Sequence, residues 1–288
     1  MAATLPGPLV STEWLAANLN AGNVKVVDAT WGMPGSGLDP LADFADEHIP
    51  GAVFFDIDAM AKPDTGPLPH MVPDADDFAA KVGALGIGND DIVVAYDTHG
   101  LQTAARAWWL FRAFGHDKVA VLDGGLPQWL EEQRPVEGGT PSPAPKTFTA
   151  APRPELVRSA DEVRANIAAR GFQLVDARSQ PRFEGTIDDP WAGRRRGHIP
   201  GSRNLPFSDL LDPVSKMFLP ESRMREVVAK AGVDLDKPIV ATCGSGVTAC
   251  VLALGFQMLG RPDVPVYDGS WAEWGLPGDR PVETGPAA

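Results

Sequence analysis

The chain has 288 residues, a formal net charge of −13 and two cysteines. That length is long for one core and suits two domains of ordinary size. The charge argues against a general affinity for nucleic acid or anionic membrane surfaces, and two cysteines cannot build a disulfide framework, so a reducing compartment is expected. The first residues show no basic start and no apolar run of signal length, and no later stretch reaches membrane-spanning length. The expectation is a cytoplasmic protein with neither nucleic-acid nor membrane partners.

In chain order, short apolar runs rich in β-branched residues fall at 24–27, 92–95 and 119–122, with a helical pattern over 104–114. Residues 135–154 then hold six prolines among Gly, Ser and Thr, the composition of an extended, solvated connector. Beyond it, apolar runs at 174–175, 239–240 and 264–267 alternate with helical spacing over 159–170 and 249–259. Short apolar strands separated by helices predict parallel sheets covered on both faces. The expected organisation is an α/β domain over 1–138, a linker over 139–154 and a second α/β domain over 155–288.

The two halves repeat one set of landmarks at an offset of about 145 to 150 residues, as a duplicated fold would. Val27-Asp28-Ala29 answers to Val175-Asp176-Ala177, and His48-Ile49-Pro50-Gly51 to His198-Ile199-Pro200-Gly201. Asp123-Gly124-Gly125 with Trp129 answers to Asp268-Gly269-Ser270 with Trp274. His48 and His198 read as structural, since both copies keep them. The copies part at one position: Asp97 stands where the second half has Cys243. The reactive centre is therefore expected in the C-terminal half, facing the N-terminal one.

Cys243 follows an apolar strand and precedes a helical pattern, inside Cys243-Gly244-Ser245-Gly246-Val247-Thr248. Two glycines let the backbone curl around the sulfur with its N–H groups inward, and the helix directs its positive end at the same spot. A thiol so placed is expected as a nucleophilic thiolate. Cys250 lies within the helical pattern and reads as core packing. The densest basic cluster is Arg194-Arg195-Arg196, joined upstream by Arg178 and Arg182.

Together the paired His-Ile-Pro-Gly stretches, the Asp-Gly-Gly/Asp-Gly-Ser with downstream Trp, the Arg106-Ala107-Trp108-Trp109 helix and the cysteine loop resemble the two-domain sulfurtransferases built from rhodanese-like modules. The resemblance covers almost the whole chain. It implies two tandem rhodanese-like domains, each a small parallel sheet with helices on both faces, and no cofactor or metal. The loop is similar to those of the 3-mercaptopyruvate branch, whereas thiosulfate-preferring members carry basic residues where this chain has Gly244 and Ser245. Two loop cations suit a sulfonate; a neutral loop suits a thiol-bearing 2-oxo acid whose carboxylate is held elsewhere.

From the resemblance, Arg182 holds that carboxylate, a task to which a guanidinium is suited, while Gly244, Gly246, Val247 and Thr248 frame the loop. The family's second arginine falls at Trp191 here, so either Arg194 or Arg195 takes its role or Trp191 packs against the substrate. A relay of Ser245, His70 and Asp58 is also implied, with Asp56 or Asp64 as substitutes for Asp58. The reaction so implied passes sulfur from 3-mercaptopyruvate through a persulfide on Cys243 to an acceptor such as thioredoxin, a small thiol or cyanide, releasing pyruvate. Thiosulfate:cyanide transfer is the alternative within the family. A phosphatase would need an arginine where Ala249 stands, a persulfide carrier would share the loop without the chemistry, and a dinucleotide site would need the spaced glycine fingerprint that the loop lacks.

Overall fold

The computed structural model describes residues 2–33 and 35–287. They form two compact units. Unit 1 comprises Met1–Ala61, Pro73–Arg153 and Pro213–Met217; unit 2 comprises Lys62–Val72, Pro154–Asp212 and Phe218–Ala288. Each therefore includes a short segment from the other half of the chain, which departs from the expected division into 1–138 and 155–288. Long-range bonds within unit 2 explain one of these exchanges. Val72 N–H donates to Asp268 Oδ2 at 2.7 Å, and Arg194 Nη2 donates to the carbonyl of Pro67 at 2.5 Å.

Unit 1 runs β1 (Leu9–Val10), α1 (Thr12–Asn18), β2 (Val24–Asp28), α2 (Pro40–Asp46), β3 (Ala52–Phe54), α3 (Ile57–Met60), α4 (Ala75–Ala84), β4 (Ile92–Tyr96), α5 (Ala104–Ala113), β5 (Val119–Leu122) and α6 (Gly125–Glu131). Its strands are all parallel, in the order β1-β5-β4-β2-β3. Every residue of central β4 is buried, as expected for a strand covered on both faces. Local signals set the helix starts: the Ser11 hydroxyl accepts from Trp14 N–H, and Asp39 caps α2 just before Pro40.

Unit 2 continues with β6 (Val157–Arg158), α7 (Ala160–Ala169), β7 (Gln173–Asp176), α8 (Gln180–Glu184), β8 (Arg203–Asn204), α9 (Glu221–Lys230), β9 (Ile239–Thr242), α10 (Ala249–Met258), β10 (Val266–Tyr267) and α11 (Ser270–Trp274). The sheet order β6-β10-β9-β7-β8 repeats that of unit 1 strand for strand. A capping box of Ser159 and Glu162 starts α7. The repeated histidines also have matching partners: His48 stacks on Phe44 at 4.1 Å and His198 on Phe183 at 3.8 Å, each Nδ1 meeting the carbonyl of the same residue. Among the described residues no helix is long and apolar enough to cross a membrane.

The proline-rich stretch is extended and largely exposed, but it is pinned to unit 1 along its length. Lys146 and Ala151 donate their N–H groups to the carbonyls of Gly83 and Phe114. Arg153 binds Asp117 through both guanidinium nitrogens, which holds that carboxyl below its ordinary range. Phe148 is buried edge-on against Phe78 and Phe111 at 6.0 and 6.1 Å. A freely solvated tether would not bury a phenylalanine. Truncating such a side chain costs about 3 to 5 kcal/mol, so Phe148→Ala should lower the urea midpoint, with no shift expected for Thr140→Ala nearby.

Candidate active site

The candidate site lies in unit 2, where β9 ends and α10 has yet to begin. Cys243 is 2 % exposed, Ser245 6 % and His70 3 %. Gly246 turns the loop at φ +79°, a left-handed conformation that suits glycine. Among the described residues, the N–H groups of Gly244, Ser245, Val247 and Thr248 meet no protein acceptor. Buried amides without acceptors are rare, so this run of donors next to a thiol is suited to an anion.

The same loop in unit 1 holds an anion of its own. Asp97 is fully buried at the end of β4. Its Oδ1 accepts from His99 N–H at 2.9 Å, while Oδ2 accepts from Gln102, Thr103 and Ala104 at 2.8, 2.7 and 2.7 Å. Gly100 makes the left-handed turn there at φ +103°. One half thus fills its amide cradle with a carboxylate, and the other sets a cysteine beside equivalent amides.

Arg182, in the middle of α8, reaches this loop. A Cβ placed on Gly244 would stand 2.8 Å from Arg182 Nη2 and 3.4 Å from Trp191 Nε1, so glycine at that position leaves room for both side chains. Arg182 is held by Asp189 Oδ2, at 2.8 Å from Nη2 and 3.3 Å from Nε. Asp189 Oδ1 accepts from Trp191 N–H, and Arg178 Nη1 lies 3.6 Å from Asp189 Oδ2. Arg178 in turn binds Asp176 through Nε and Nη2 and stacks over Trp271 at 4.4 Å. This buried alternation of acids and bases fixes the direction of Arg182 without leaving a charge unpaired. In unit 1 the position of Arg178 is taken by Thr30, and burial raises the carboxyl of its neighbour Asp28 above the ordinary range.

His70 adopts φ +58° and sets Nδ1 2.9 Å from Ser245 Oγ, with its ring edge-on to Trp191 at 5.8 Å. Non-glycine residues in this region are uncommon and cluster at functional sites. The structure therefore brings together Cys243, Ser245, His70, Arg182, Gly244, Gly246, Val247 and Thr248. Asp58 belongs to unit 1, where its Oδ2 accepts from Trp31 Nε1 at 2.9 Å. Of its two substitutes, Asp56 caps α3 and Asp64 is exposed.

The guanidinium groups of Arg194 and Arg195 meet backbone carbonyls. Arg194 donates to the carbonyls of Ala272, Ala192 and Pro67, and Arg195 to those of Arg280 and Trp274. Their charges secure loop backbone, a use that a run of adjacent arginines does not distinguish from anion binding. Sequence reasoning also passed over Asp189 and Ser270. The second differs from its repeat partner Gly125, which was the available signal.

Comparison with known proteins identifies the family. The rhodanese-like domain family matches residues 11–132 and 159–276. Human 3-mercaptopyruvate sulfurtransferase is 46% identical over 272 residues, covering 92% of this chain and 91% of that protein. Bovine thiosulfate sulfurtransferase is 43% identical over 273 residues, with 92% and 91% covered. The crystal structure of the Escherichia coli 3-mercaptopyruvate sulfotransferase SseA superposes with a TM-score of 0.84 at 37% identity, covering 92% of this chain and 98% of that one.

Proposed function

Since the chain belongs to the two-domain rhodanese-like sulfurtransferases, we propose that it transfers sulfur from 3-mercaptopyruvate, through a persulfide on Cys243, to a thiol acceptor. The observation that carries this reading is the set of unspent amides around Cys243, with a single oriented guanidinium beside a loop that has no charge of its own. The donor's carboxylate pairs with Arg182. The Cys243 thiolate attacks the donor's sulfur; an S–S bond forms, the C–S bond breaks, and its electron pair passes into the adjacent carbon and carbonyl as the enolate of pyruvate. Ser245, hydrogen-bonded to His70, is placed to donate to charge developing on the substrate. Protonation of the enolate gives pyruvate.

The terminal sulfur then rests among the loop amides, as the carboxylate of Asp97 does in unit 1. An acceptor attacks it and regenerates the thiolate; a dithiol protein of the thioredoxin kind, a small thiol or cyanide has the required chemistry. Two half-reactions through a covalent intermediate predict ping-pong kinetics. The reading is tested by intact mass. After 3-mercaptopyruvate alone, the wild-type protein should gain one sulfur and release one equivalent of pyruvate. Loading by thiosulfate with a higher kcat/KM would transfer the assignment to that donor, and no loading by either would overturn it.

Gly244→Ala offers a narrower check. Its methyl group would stand against a guanidinium that Asp189 keeps from retreating, so the KM for 3-mercaptopyruvate should rise roughly tenfold, in line with the sensitivity of bound geometry to small displacements. The rate of Cys243 alkylation by iodoacetamide, which carries no carboxylate, should change far less.

A further inference from the structure

We infer that Ser270 is a positioning residue for the nucleophile: its hydroxyl fixes the Cys243 peptide so that the loop's remaining amides are left for sulfur. The inference rests on the sulfur-transfer reading and adds to it a residue outside the cysteine loop. Ser270 is fully buried and takes φ +49° as the first residue of α11. A serine in this region is strained by about 1 kcal/mol or more, and glycine would relieve it. The hydroxyl makes full use of its place. It accepts from Cys243 N–H at 3.1 Å, donates to the carbonyl of Tyr267 at 2.7 Å and lies 3.3 Å from Thr242 Oγ1.

Two further bonds come from the same turn. Trp271 N–H donates to the Cys243 carbonyl at 2.9 Å, and Ala272 N–H to that of Gly244 at 2.7 Å. The peptide groups on both sides of the Cys243 Cα are thereby gripped. The chain's own duplication separates what is structural from what is specific to the cysteine. In unit 1, Leu126 N–H donates to the Asp97 carbonyl at 3.0 Å, which matches the Trp271 bond. Position 125, at φ +55°, is a glycine there, and a Cβ on it would lie 2.4 Å from the Asp97 carbonyl. The half without the thiol has no room for a side chain at this position, while the half with the thiol accommodates a strained hydroxyl there.

A hydroxyl that only stabilised the turn would affect folding and leave the reactivity of Cys243 alone. The experiment compares wild type, Ser270→Gly and Ser270→Ala by thermal unfolding, by Cys243 alkylation with iodoacetamide across pH, and by steady-state kinetics with 3-mercaptopyruvate. Glycine accepts the backbone angle, so Ser270→Gly should fold with a midpoint at or above that of Ser270→Ala. Both variants should lose roughly 10- to 100-fold in kcat, the scale expected for a misplaced reacting group. KM should stay near wild type, because Arg182 is untouched, and the plateau rate of alkylation should fall in parallel with kcat. Wild-type kcat and alkylation in a folded Ser270→Gly would overturn the inference. Because alkylation needs no sulfur donor, it still reports on Ser270 if the donor assignment fails.

Discussion

Cys243→Ala should abolish sulfur loading and lower kcat/KM for 3-mercaptopyruvate by roughly 10⁴-fold or more, as removal of a catalytic nucleophile does. The fold should survive. Cys243 makes its hydrogen bonds through its backbone, to Ser270 and Trp271, and alanine keeps both. A small apolar replacement at a site 2 % exposed leaves no polar group stranded. Thermal unfolding should therefore be close to wild type while intact mass shows no added sulfur. Cys250→Ala is the companion measurement. Its thiol donates to the Gly246 carbonyl from inside α10, so loading should persist on Cys243. Sulfur found on Cys250 instead would move the nucleophile.

Asp97→Ala should have the largest effect on stability, at about 3 kcal/mol or more, since four N–H groups, two of them buried and two half-buried, lose a charged acceptor, and each unsatisfied buried donor costs about 1 to 3 kcal/mol. The cost should partly reverse on adding a small oxyanion. An anion that binds the emptied cradle of the folded protein stabilises it by mass action. Formate at tens of millimolar should raise the urea midpoint of Asp97→Ala and leave wild type, whose cradle holds its own carboxylate, unchanged. An equal response in both proteins would show that the loop amides have no particular affinity for anions, which would weaken the case for the matching loop around Cys243.

Much of this architecture was legible because it is written twice. The apolar runs at 92–95 and 239–240 became the central strands β4 and β9, and the offset that paired Asp97 with Cys243 also paired the ends of those strands. The edge strands β1, β6 and β8 have two residues each, too few for periodicity to register. Positions in the cysteine loop could be read from spacing because the loop closes over a few neighbouring residues. The basic cluster could not. Whether a guanidinium meets a substrate or a carbonyl depends on partners some 80 residues away, as for Arg194 with Ala272 and Arg195 with Trp274. Ser270 is a third case: the letter differing from Gly125 was visible, but the left-handed backbone that gives it meaning was not.

Lys62–Val72 belongs to unit 2, which holds Cys243, yet it precedes Asp97 in the chain. The histidine that meets Ser245 at 2.9 Å is therefore encoded in the first half of the chain. Gene duplication began with interchangeable modules, but here that interchangeability has gone. A lineage that kept only the C-terminal copy would inherit the cysteine loop without the histidine that Ser245 meets.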